Sequence, residues 1–130
     1  MSTTQSEITQ EPGGGEERMG TVRISPQVLA TIARLTTLAV PGVGRMYRDL
    51  TSDVDRFFKG KVATDGVRIE VADDAVAVDI YVVAKPHTNL YELGRKIQTD
   101  VSRAITEMVG MPVISVDVHI EEIETTAASE

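Results

Sequence analysis

A chain of 130 residues with 42% hydrophobic side chains is the size of one domain with an ordinary core. It contains no cysteine, which excludes a disulfide framework, a thiolate zinc site and a cysteine nucleophile, and suits the cytoplasm. The net charge of −7 belongs to the ends: residues 1–20 hold four acids and one base, residues 121–130 hold four acids and no base, and the span between is neutral.

Acidic ends favour solubility and discourage casual contact with nucleic acid or anionic lipid. No stretch approaches the roughly 20 apolar residues of a membrane span, and the polar N-terminus lacks the apolar region of a signal peptide. Residues 1–18 are rich in polar residues and include Pro12-Gly13-Gly14-Gly15. They cannot bury enough apolar surface to offset ordering, and they read as a disordered acidic tail. Residues 19–123 form the expected domain, and 124–130 a second disordered acidic tail.

Gly20–Ile24 reads as a short strand that runs into a helix, with Ser25 as N-cap, Pro26 at the first helical position, and Ile24 and Leu29 placed for a hydrophobic staple. The helix runs to about Ala39, with Val28, Ile32, Leu35 and Ala39 on its expected buried face, and Pro41 ends it. Val40–Gly44 is a turn-rich link. The charged stretch from Arg45 to Asp65 carries no clear pattern beyond a short helix near Asp53–Lys59. Gly66–Val71 alternates and pairs through Asp73-Asp74 with Ala75–Val83, a hairpin signal.

A long amphipathic helix follows, in which Leu90, Leu93, Ile97, Val101, Ala104, Ile105 and Met108 share one face. Asn89 caps it, with Glu92 completing a capping-box-like pair, and Gly110 and Pro112 stop it. In the last strand Ile114, Val116, Val118 and Ile120 face inward, and Ser115, Asp117, His119 and Glu121 face out. The order β-α-β-β-α-β predicts an α+β fold: two helices packed on one face of a mainly antiparallel four-stranded sheet. Arg68, Glu70, Ala77, Asp79, Tyr81, Ser115, Asp117 and His119 then lie on the uncovered face.

No catalytic or metal constellation emerges. His87 and His119 are the only histidines, and they lack helical ligand spacing. Gly42-Val43-Gly44 lacks the third glycine and following helix of a dinucleotide fingerprint. Neither a GxSxG elbow nor an SxxK pair is present. Asp79 is better read as a partner for Arg68 than as a catalyst. The expectation is therefore no enzyme, no metal and no cofactor, with Arg68, Asp79, Tyr81, Asp117 and His119 as the interaction surface. A local basic excess from Arg34 to Lys61, with Arg56, Phe57, Phe58, Lys59 and Lys61 as a candidate docking loop, supplies the alternative: binding of RNA or another anionic ligand. Nucleic acid remains the weaker reading, because an RNA-binding sheet needs stacking aromatics and only Tyr81 is offered.

The sequence resembles the alkaline shock protein family over about Gly20–Ile123. The carriers are Gly20–Ser25 leading into a helix, Val40-Pro41-Gly42-Val43 after it, and Val76-Ala77-Val78-Asp79-Ile80 in the hairpin. Lys96-Ile97-Gln98 with Val101, Ala104, Ile105, Met108 and Gly110 follow in order, and then Val113–Ile120. The resemblance implies a non-enzymatic, cytoplasmic bacterial protein linked to general stress and envelope homeostasis. It further implies a homo-oligomer held near the membrane, in some members, by a membrane-anchored protein partner. This chain departs from the family at Ala84-Lys85-Pro86-His87, which replaces a tyrosine-glycine turn, and in its longer insert from Arg45 to Asp65.

Overall fold

A computed structural model describes residues 19–48 and 60–125, with the backbone of Ile8–Gln10. The fold is built around one ten-residue strand, β6 (Ala75–Ala84), whose Val76, Val78, Ile80 and Val82 are buried on one face. Along one edge, β7 (Val113–Ile123) runs parallel to it, from Val76 opposite Val113 to Ala84 opposite Ile123. The other edge is shared end to end by two antiparallel strands. β5 (Val67–Ala72) pairs with Ala75–Ile80, and β3 (Val43–Met46) takes Val82–Ala84. β4 (Lys61–Thr64) lies outside β5.

The α+β architecture matches the sequence expectation, but the sheet has five strands rather than four. β2 (Val22–Ile24) forms as a strand outside this sheet, paired with β1 (Ile8–Gln10). Both edges of β6 are already occupied, so no place is left for it there. The two additional strands come from residues 40–65. β3 is four residues long with a bulge between Val43 and Arg45, too short and irregular to show alternation. β4 is equally short, but a signal marks it. Asp65 and Gly66 both have positive φ (48° and 78°), giving the two-residue turn whose twist matches a hairpin. Asp73-Asp74 uses the same device, with φ of 52° and 65°, between β5 and β6 as expected. The short helix expected near Asp53–Lys59, and most of both expected tails, lie outside the described residues.

Gly66 is fixed twice over. Tyr81 N donates to its carbonyl at 2.8 Å, and Tyr47 N donates to Tyr81 O at 2.9 Å, where the ends of β3 and β5 meet beside β6. A methyl group on Gly66 would stand 2.8 Å from Tyr47 O and 2.9 Å from Tyr81 O.

Two helices cover one face of the sheet: α1 (Pro26–Leu38) packs over β3, β4 and β5, and α2 (Leu90–Val109) over β7 and against α1. Ser25, Asn89 and Gly110 take the expected cap positions, without the return bond from Asn89 N to the Glu92 carboxylate. Ser25 Oγ accepts from Gln27 N at 3.1 Å, Asn89 Oδ1 accepts from Glu92 N at 3.0 Å, and Gly110 closes α2 at φ 83°. The buried stripe of α2 is Leu93, Ile97, Val101, Ile105 and Val109. Met108 was expected inside but is 68% exposed, because the stripe holds four-residue steps and Val109 takes the last core position.

The expected stripe of α1 is displaced as well. Leu29, Ala30, Ile32, Ala33 and Thr37 are buried, whereas Val28 is 44% and Leu35 55% exposed, and Ala39 is exposed. Arg34 is the helix's one charged residue, so its apolar pattern does not select a face. Packing selects it instead: Ala30 and Ala33 let the helix approach the sheet closely while Leu29 fills the core. On β7, Ile114 is 68% exposed rather than inward. Val76 pairs with Val113 and Ala77 with Ser115, so Ile114 is the extra residue of a bulge and is turned out of the inner face.

Candidate functional site

The face of the sheet turned away from the helices gathers the residues singled out from the sequence. Strand register does this. Arg68 on β5 lies opposite Asp79 on β6, which lies opposite Asp117 on β7, so one row crosses three strands. Two residues further along, Tyr81 lies opposite His119. Their rings stack with centroids 4.3 Å apart and planes 9° from parallel. His119 Nε2 is 3.1 Å from Asp79 Oδ1, joining the two rows, and the Arg68 guanidinium carbon lies 5.4 Å from the centre of the Tyr81 ring. Arg68, Asp79, Tyr81 and His119 are half-buried, while Asp117 is exposed.

Each contact has a physical basis. A cation over a tyrosine face is attracted by the ring quadrupole, and offset or stacked rings on adjacent strands shield each other's apolar faces. Burial pushes the Tyr81 phenol above its ordinary value; Arg68 pulls it back, and Asp79, Glu121 and Asp117 push it further up. Tyr81 is therefore a neutral phenol at physiological pH, able to donate and accept a hydrogen bond. Asp79 and Asp117 stand directly opposite each other on neighbouring strands, an unfavourable like-charge pair. Asp79 is contacted by His119 Nε2, and Arg68 stands opposite it on β5. Asp117 has no hydrogen-bond or ion-pair partner among the described residues.

A carboxylate-bound imidazole beside a phenol is a pattern that proton-transfer sites use. Here the three groups engage one another on a pleated surface. Clefts lined by described residues lie elsewhere, one over Val28, Leu35 and Met108 on the helix side and others between α2 and β7. Among the described residues no group of three or more His, Asp or Glu side chains is placed to hold a metal ion, and no helix is long and apolar enough to cross a membrane.

In the basic stretch, Arg56, Phe57, Phe58 and Lys59 lie outside the described residues. Three described bases of the stretch are matched by carboxylates: Arg45 by Glu122 at 3.8 Å, Arg48 by Asp65 at 3.5 Å and Lys61 by Glu70 at 4.0 Å. Sequence reasoning missed the exposed apolar patch of Val28, Leu35 and Met108. The near absence of charge on α1 was its signal, since a solvent-facing helix flank ordinarily carries charged residues.

Comparison with known proteins adds a family. The model of the alkaline shock protein 23 family, described as having a cell envelope-related function, matches residues 14–125. The uncharacterized protein YqhY of Bacillus subtilis is 28% identical over 111 residues, covering 84% of this chain and 81% of its own. Spy1535 of Streptococcus pyogenes serotype M6 is 31% identical over 108 residues, covering 82% and 81%. Among solved structures, a variant of MamM CTD in a zinc form superposes with a TM-score of 0.48 at 13% identity, over 79% of this chain and 91% of that one.

Proposed function

The chain belongs to the alkaline shock protein 23 family, whose function is cell envelope-related, and on that premise we propose that it is a non-enzymatic scaffold. In this reading it acts in the cytoplasm in envelope stress or homeostasis, self-associating and docking a membrane-anchored protein through its open sheet face and the exposed edge of β7. The observation that carries the proposal is the cluster of Tyr81, His119, Asp79 and Arg68: half-buried aromatic and charged groups in mutual contact, spread across three strands on the sheet face turned away from the helices. Tyrosine and arginine are among the residues that protein interfaces most often use as anchors. The flatness of this face speaks against turnover of a small substrate, which needs a concave, water-excluding site.

The experiment is affinity purification of the tagged chain from crosslinked native cells, split into nuclease-treated and untreated halves and repeated with Tyr81→Glu. The expected result is recovery of the chain itself and a membrane-anchored protein in both halves, lost with Tyr81→Glu. Retention that disappears with nuclease and survives Tyr81→Glu would replace this reading with nucleic-acid binding by the basic stretch.

A further inference from the structure

We propose that the free edge of β7 pairs antiparallel with β7 of a second copy about a two-fold axis through Val118, joining two sheets into one of twice the width. This rests on the scaffold reading above and specifies one of its contacts. Among the described residues β7 pairs only with β6, leaving an eleven-residue strand with one open edge. Such an edge is a template for another strand. Gln98 Nε2 donates to Val116 O at 3.0 Å, which identifies Val116 as a residue whose backbone groups face away from β6. Alternate residues of a strand point their backbone groups the same way, so Val118 and Ile120 also present theirs to the open edge.

The pattern of side chains favours a second copy and a register that pairs the unmatched carboxylate. A two-fold axis through Val118 sets Val118 against itself, Val116 against Ile120 of the second copy, and Asp117 against His119 of the second copy, twice over. Asp117 is exposed, faces the carboxylate of Asp79, and has no cation among the described residues. His119 uses Nε2 on Asp79, which leaves its other ring nitrogen without a partner among the described residues. Shifting the axis to Asp117 opposes that carboxylate to its own copy, and shifting it to His119 opposes Asp117 to Glu121; both place like charges directly opposite. The self-complementary register therefore argues for a second copy of this chain over an unrelated strand. Pairing also closes the clefts along α2, one over Leu90, Gly94, Val118 and Ile120 and the other over Thr99, Ser102 and Ile114. Gln98 must release Val116 O when the strands join, and it satisfies that edge carbonyl in the single copy.

The chain has no cysteine, so one can be introduced alone. Directly opposed residues of antiparallel strands stand within disulfide reach, at about 4.5–5.5 Å between Cα atoms. Mild oxidation of Val118→Cys, followed on a non-reducing gel, is expected to convert most of the chain to a linked dimer. Lys85→Cys, exposed and away from the edge, is expected to stay unlinked. Adding Asp117→Lys to Val118→Cys is expected to abolish linkage while the melting midpoint holds. If light scattering shows the native chain assembled but Val118→Cys does not link, the β7 contact is overturned and the scaffold reading stands. A native chain that remains a single copy at all concentrations overturns both.

Discussion

On its helix-covered face β6 contributes Val76, Val78, Ile80 and Val82 to the core shared with α1 and α2; on the face turned away from the helices it carries Ala77, Asp79 and Tyr81, partly exposed, and Val83, buried. The first set is interchangeable in chemistry and is satisfied by contacts the chain supplies itself. The second is specific in chemistry: Asp79 contacts His119, and Tyr81 stacks on His119 with Arg68 over its ring. The contrast teaches that the inner face determines whether the domain folds and the outer face determines what the folded domain meets.

A charge placed on the inner side should give the largest effect. Val101 is fully buried in α2, and Val101→Asp is expected to cost more than about 4 kcal/mol, comparable with the whole stability of about 5–15 kcal/mol for a domain. Loss of the cooperative melt by circular dichroism checks this; an unchanged midpoint would contradict the assignment of α2. Gly66→Ala tests the junction of the two faces. Its positive φ and the two carbonyls under 3 Å from the added methyl predict a loss of about 1–3 kcal/mol, read as a lower denaturant midpoint with unchanged slope.

The smallest effect belongs to the outer face and appears only in alkali. Folding raises the Tyr81 phenol, so its contribution is constant below the ordinary tyrosine value of about 10 and falls as pH rises from there, because the unfolded chain releases its proton first. Tyr81→Phe is expected to melt more steadily than the native chain across that alkaline range and to leave neutral-pH stability nearly unchanged. A native decline that persists undiminished in Tyr81→Phe would assign the alkaline sensitivity to other groups.

The sequence made the two halves of the fold unequally legible. In α2 a charged flank opposes an apolar stripe, so most of the buried face, both caps and the stop at Gly110 could be read directly, and only the last core position went to Val109 instead of Met108. In α1 the apolar residues surround the axis, and only the close approach permitted by Ala30 and Ala33 decides the buried side. Alternation in β5, β6 and β7 showed which residues share the open face, and the Asp73-Asp74 turn fixed the register of β5 on β6. Which strand lies beside β6 on its other edge, and at what offset, is set by the α2 crossover and two bulges in β7, which leave no mark in the pattern. The contact of Asp79 with His119 and the stacking of Tyr81 follow from that offset, so the five surface residues were legible as a set and their pairing was not. The exposed edge of Ile114 and the Val28, Leu35 and Met108 patch escaped for the same reason: both depend on packing.

The most direct test of the open face as an interface is the mass of the native chain and of Tyr81→Glu in solution by multi-angle light scattering, with thermal melts alongside. A native assembly of more than one copy is expected, shrinking in Tyr81→Glu while the melting midpoint is retained. An unaltered mass for Tyr81→Glu would remove the open face from the interface and contradict the central claim.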